Sequence, residues 1–137
     1  MSFNLKVTEI LETTLCVDDL NAAERFYREV LGLEFYAKQE GRHVFFRCGD
    51  SMFLLFNADE TIKPTAPIST HGYTGSSHVA FLMDDESIDE WRNHLEKHSV
   101  EIESEVDWPT GGHSIYFRDP SGNSLELATR KTWKWEE

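Results

Sequence analysis

The feature that most constrains this chain is that it is written twice. E-T-T-L-C-V-D-D from Glu12 matches H-V-A-F-L-M-D-D from His78, and L-G-L-E-F from Leu31 is answered by S-V-E-I from Ser99. V-F-F-R from Val44 matches I-Y-F-R from Ile115, and M-F-L-L-F from Met52 falls on S-L-E-L-A from Ser124. In each half a strand runs into Asp-Asp, a capped amphipathic helix follows, and three short strands close the unit. A βαβββ unit cannot bury its own sheet face, so two of them must pair and share a core. The fold expected is α+β, with two βαβββ modules forming a curved mixed sheet around a central cleft. The modules occupy residues 8–58 and 77–130, joined by a connection over 59–76 and followed by a tail over 131–137.

Within the first module, a strand over 10–17 turns Leu11, Thr13, Leu15 and Val17 to one face and Glu12, Thr14 and Cys16 to the other. Asn21 and Glu24 read as a capping box for a helix that buries Ala23, Phe26, Tyr27, Val30 and Leu31 and stops at Gly32. Strands are expected over 33–37, 43–48 and 52–56. The stretch 57–77 has Pro64, Pro67, Gly72 and Gly75 and no periodicity, as a connection would. The second module repeats the plan with a strand over 78–83, a Ser87/Glu90 capping box, a helix with Ile88, Trp91 and Leu95 inward, and a strand over 100–106. A hairpin over 113–128 closes it, with Asp119-Pro120-Ser121-Gly122 suited to a type I turn. Trp133 and Trp135 in the tail are expected to dock on a surface or a second subunit.

A net charge of -12 over 137 residues argues against a nucleic-acid backbone as partner and accommodates a neutral or cationic small molecule. No apolar run reaches membrane-span length and the first residues lack a signal-peptide core, so the expected location is cytoplasmic with no membrane partner. Cys16 and Cys48 have no CxxC spacing and are expected as reduced, half-buried thiols.

Chemistry enters at Glu126. With Leu125 and Leu127 facing the core, Glu126 points the other way between Ser124 and Ala128, where a carboxylate needs solvent, a partner or a metal. Superposing the halves sets Glu12 on His78 and Leu54 on Glu126, all on faces that would line a groove. Strand alternation adds Thr14, Cys16, Phe45, Arg47, Phe56, Ala80, Leu82, Tyr116 and Arg118 to that lining. Phe45, Leu54, Phe56 and Leu82 would make one wall apolar, as small-ligand pockets usually are. Arg47 and Arg118 occupy equivalent positions and are expected to pair with acids. Tyr116 is expected to pack, with a hydroxyl able to donate to a substrate oxygen. His43, His71, His94, His98 and His113 show no partner spacing and are expected to be exposed or in loops.

The repeat, the V-D-D-L…F-Y-R-E-V-L-G-L segment from Val17 to Leu33, the S-H-V-A-F segment and the F-R-D-P-S-G-N-S-L-E-L hairpin together resemble the vicinal oxygen chelate superfamily. That group includes glyoxalase I, fosfomycin and bleomycin resistance proteins, and extradiol dioxygenases. The resemblance covers residues 10–130. In metal-dependent members a divalent ion is held by the start of each module's first strand and by the last strand, positions that fall here on Glu12, Leu54, His78 and Glu126. Leu54 offers no ligand. Glu12, His78 and Glu126 remain, the positions used by fosfomycin resistance proteins, with Glu12 where those have His. Their phosphonate-binding basic pattern is not evident in Lys131-Thr132-Trp133-Lys134-Trp135.

Two functions follow from the resemblance. One is a metal-dependent isomerase, lyase or transferase acting on a small oxygenated substrate chelated in the cleft. One imidazole and two carboxylates suit Mn²⁺, Fe²⁺, Ni²⁺ or Mg²⁺ better than a closed Zn²⁺ site. Glu126 or Glu12 could leave the metal as general base, Tyr116 could assist, and Thr14, Phe45, Arg47, Leu54 and Phe56 would contact substrate. The other is a metal-free protein that sequesters a cationic drug in an acidic, aromatic groove at a dimer interface. A homodimer is expected in either case, with pairing of modules within or between chains left open.

Overall fold

A computed structural model describes residues 5, 8–61 and 76–133. The first module runs β1 (Glu12–Val17), α1 (Leu20–Glu29), β2 (Glu34–Gln39), β3 (His43–Cys48) and β4 (Ser51–Asn57), and then a single helical turn, α2 (Ala58–Thr61). The second runs β5 (His78–Leu82), α3 (Ile88–Lys97), β6 (Ser104–Asp107), β7 (His113–Arg118) and β8 (Ser124–Ala128). Each builds one four-stranded sheet, ordered β1-β4-β3-β2 and β5-β8-β7-β6. The first and last strands of each module pair in parallel and the other neighbours antiparallel. This is the α+β architecture of two mixed sheets that the repeat implies.

The two modules share one core. Leu15, Tyr27, Phe46 and Phe53 of the first belong to the same buried cluster as Leu95, Ile115, Phe117 and Leu125 of the second. Each fully buried Phe or Leu contributes about 1.5–3 kcal/mol. Rings from the two halves meet directly, Phe53 on Phe81 at 5.5 Å between centroids and Phe26 on Phe117 at 6.5 Å.

Polar contacts set the angle between the modules. Asp119 is buried, and its carboxylate accepts from the Tyr27 hydroxyl at 2.8 Å, from Asn123 Nδ2 at 2.9 Å, and from the backbone N–H groups of Ser121 and Asn123. Asn123 Nδ2 also donates to the Cys16 carbonyl at 3.1 Å, and Ser121 Oγ contacts Asp18. His94 meets the Val30 carbonyl at the end of α1, at 2.8 Å.

Several local expectations are corrected. The cap of α1 is Asp19, whose extended backbone lets Oδ1 accept from the Ala22 N–H at 3.0 Å, so Asn21 lies inside the helix. Ser87 makes no side-chain cap bond, because residues 85–87 form a 3₁₀ turn running straight into α3. The strand expected over 100–106 is confined to Ser104–Asp107. Leu11 lies ahead of β1 and is 71% exposed. Gly32 ends the first helix as expected, its φ of 66° letting the Leu33 N–H reach the Tyr27 carbonyl. Neither Cys16 nor Cys48 is in a disulfide; Cys48 is half-buried as expected, whereas Cys16 is buried. Trp133 is largely exposed in the single chain, while Trp135 and His71 lie outside the described residues. No helix among the described residues is long and apolar enough to cross a membrane.

Candidate metal centre

Register brings His78 and Glu126 together. In the parallel β5/β8 pair His78 lies beside Ser124 and Ala80 beside Glu126, so the two side chains stand on one face, one row apart. His78 Nε2 is 3.2 Å from Glu126 Oε1, and His78 Nδ1 is 3.0 Å from the Ser124 carbonyl. A carbonyl only accepts, so Nδ1 carries the proton in that contact. A neutral ring then turns its Nε2 lone pair toward a carboxylate oxygen. Two acceptors converging in this way fit a shared cation, and an Nδ1–H held by a backbone carbonyl is the usual support of a metal-ligating histidine.

The rest of the pair's surroundings is ordered. Glu126 is 7% exposed, and its Oε2 accepts from Ser114 Oγ at 2.6 Å. Ser114 Oγ in turn accepts from Trp108 Nε1 at 2.9 Å. The Tyr116 ring stacks beside His78 at 6.2 Å. Burial, together with the charge of Glu126 and a hydrogen bond to it, raises the Tyr116 hydroxyl above its ordinary pKa of 10.0, against a smaller opposing contact with Ser114. Tyr116 therefore keeps its proton at neutral pH and is a hydrogen-bond donor. Alternation along β7 would have flagged Ser114, two residues before Tyr116. Trp108 lies in a turn, where no periodicity points to it.

Glu12 is not part of this cluster. It is exposed at the start of β1 with no partner among the described residues. Within one chain no group of three or more His, Cys, Asp or Glu among those residues is arranged to hold a metal. The β1/β4/β3 ladder sets Glu12, Met52 and Arg47 in one row and Thr14, Leu54 and Phe45 in the next. Leu54 and Phe56 are buried, Phe45 is half-buried and stacked on His43 at 4.1 Å, and Thr14 is exposed. The equivalent arginines differ. Arg118 is tied to Glu103 by two hydrogen bonds, at 2.8 and 3.1 Å, whereas Arg47 has no acidic partner among the described residues and lies over the Tyr36 ring at 5.9 Å.

Of the histidines expected to be exposed or in loops, His43, His94, His98 and His113 are all at least partly buried. His43 is held below its ordinary pKa of 6.5 by burial and by the nearby Arg42 guanidinium. His113 is gripped by Glu105 and Asp107 at 2.6 and 2.7 Å.

Known proteins are similar to this chain at several levels. A metallothiol transferase FosB from Staphylococcus epidermidis is 29% identical over 126 residues, covering 91% of this chain and 84% of that protein. A glutathione transferase FosA from Serratia marcescens is 32% identical over 114 residues, covering 83% and 75%. The crystal structure of a lactoylglutathione lyase from Agrobacterium tumefaciens superposes with a TM-score of 0.90 at 44% identity, covering 94% of this chain and 98% of that one. The family model described as Glyoxalase/Bleomycin resistance protein/Dioxygenase superfamily matches residues 9–127, and with nearly the whole double βαβββ unit inside that match, this chain belongs to that superfamily.

Proposed function

We propose that the protein is a divalent-metal-dependent enzyme that joins or rearranges a small thiol and a small, oxygenated, anionic substrate. The observation that carries this reading is the His78–Glu126 pair, with Nε2 and Oε1 converging at 3.2 Å while Nδ1 is held by Ser124. The relatives' names support the class of chemistry: two are thiol transferases and one is a lyase of a glutathione adduct.

The third ligand, Glu12, comes from a second copy, so the working unit is a homodimer. Strands β1 and β5 are each at a sheet edge, and exposed Ile10, Leu11 and Leu82 lie in or just before them. Pairing these edges between copies would bury apolar surface and unpaired backbone groups together. It would also bring the Glu12 row of one chain over the His78 row of the other.

In that groove a bound divalent ion would supply Lewis-acid stabilisation of negative charge developing on a substrate oxygen. His78 and Glu126 would hold it, and Tyr116 would donate a hydrogen bond to the same oxygen. Arg47, with no acidic partner among the described residues and in the row of Glu12, binds the anionic end of the substrate. Phe45, Leu54 and Phe56 form the apolar wall that excludes water, and Thr14 offers a hydroxyl beside them.

The test is titration of the purified protein with Mn²⁺, Ni²⁺ and Zn²⁺, with Glu126→Ala in parallel, followed by thiol consumption with glutathione against fosfomycin and against a hemithioacetal. Metal binding lost in Glu126→Ala and turnover of one substrate support the reading. A wild type that binds no divalent ion sinks it.

One contact favours a metal-free alternative, a drug-sequestering groove. Ser124 Oγ lies 3.2 Å from His78 Nδ1 and could donate there, leaving Nε2–H to close a hydrogen bond with Glu126. Drug binding by protein that takes up no metal is the outcome that selects it.

A further inference from the structure

Ser114 is wholly buried, and its hydroxyl sits between an indole and a carboxylate. The hydrogens can be placed in one way. An indole N–H only donates and a carboxylate only accepts, so the Trp108 hydrogen enters a Ser114 lone pair and the single Ser114 hydrogen points at Glu126 Oε2. Trp108 is itself fixed by its turn, its N–H donating to the Gly112 carbonyl and its carbonyl accepting from Gly111, each at 2.9 Å. The chain of contacts from this turn to Glu126 has no free rotor.

We propose that Trp108 and Ser114 are positioning residues that lock Glu126 so that it offers a single oxygen, Oε1, beside His78 throughout turnover. Glu126 thus remains a fixed ligand, whereas Glu12 is exposed, with no partner among the described residues. This rests on the metal-dependent reading above, and it gives different roles to the two carboxylates of the proposed ligand set. The sharp distance, 2.6 Å from hydroxyl to carboxylate, is that of a charge-assisted bond and resists exchange for water.

The experiment measures Mn²⁺ affinity by electron paramagnetic resonance for wild type, Ser114→Ala, Trp108→Phe and Ser114→Thr, with metal-free thermal melts of each. Ser114→Ala and Trp108→Phe are expected to raise the Mn²⁺ Kd by about 10- to 100-fold, the usual cost of losing an outer partner of a ligand. Ser114→Thr keeps the hydroxyl and is expected to stay near wild type. Wild-type affinity in both Ser114→Ala and Trp108→Phe overturns the positioning role and leaves the metal site standing. Affinity that falls only in step with loss of folded protein in the metal-free melts overturns it as well. A wild type that takes up no Mn²⁺ overturns the metal-dependent reading itself, and this inference with it.

Discussion

The Tyr27 hydroxyl donates to the Asp119 carboxylate at 2.8 Å, a buried bond between residues 92 positions apart that ties the first helix of one module to the hairpin turn of the other. Asp119 also accepts from Ser121, from the Asn123 backbone and from Asn123 Nδ2, and the Arg118 guanidinium acts on its charge as well. Asp119→Ala leaves several buried donors without an acceptor and is expected to cost about 3 kcal/mol. Tyr27→Phe removes one bond and is expected to cost about 1–2 kcal/mol. Urea unfolding monitored by circular dichroism measures both, and a loss below about 1 kcal/mol for Asp119→Ala contradicts the clasp.

His113 gives the fold a pH dependence. Burial disfavours its charge, but hydrogen bonds to Glu105 and Asp107 and their negative charges prevail and hold its pKa above the ordinary 6.5. A folded pKa above the unfolded one stabilises fully below the unfolded value, and that stabilisation disappears as pH rises through the folded value. Wild-type urea midpoints should fall as pH rises past the ordinary imidazole pKa of 6.5, and His113→Gln should flatten that limb. Glu105, lowered below 4.5 chiefly by the Arg92 hydrogen bond, acts with the opposite sign: its contribution is present above the unfolded value and is lost on acidification. A His113→Gln profile as steep as wild type would remove His113 as the cause.

The repeat-equivalent arginines should separate binding from stability. Arg47→Leu is expected to raise the KM for an anionic substrate by about tenfold or more, with little change in melting temperature. Arg118→Leu breaks the bond to exposed Glu103 and is expected to leave KM alone. Steady-state kinetics beside thermal melts decide this, and equal KM values for Arg47→Leu and wild type exclude Arg47 from the site.

Gly112 is held by close approach rather than by its torsion angle. A Cβ there would lie 2.2 Å from the Thr132 backbone nitrogen, in the turn that leads into the tail. Gly112→Ala must push that backbone away and is expected to cost about 1–3 kcal/mol, with a change in tryptophan fluorescence from the neighbouring Trp108 and Trp133. A melting temperature equal to wild type would show that the tail yields freely.

The sequence by itself determined the module plan and the face on which each strand residue stands. Alternation of two and a doubled pattern suffice for that, because side-chain direction along a strand is a local property. On that basis Glu126, Tyr116 and His78 were legible as groove-facing, and Leu125 and Leu127 as core. Tertiary structure alone decided which polar groups meet. Tyr27 was legible only as a residue on an apolar helix face and Asp119 only as a turn former, and the bond between them exists because two modules pack at one angle. The same holds for Trp108, Ser114 and Glu126, joined across a turn and two strands, and for Arg47 and Arg118, alike in sequence and separated by the presence of Glu103 beside only one of them. Hydrogen bonds are short and directional, so their pairing is set by three-dimensional placement to within a fraction of an ångström, a precision that no one-dimensional period carries.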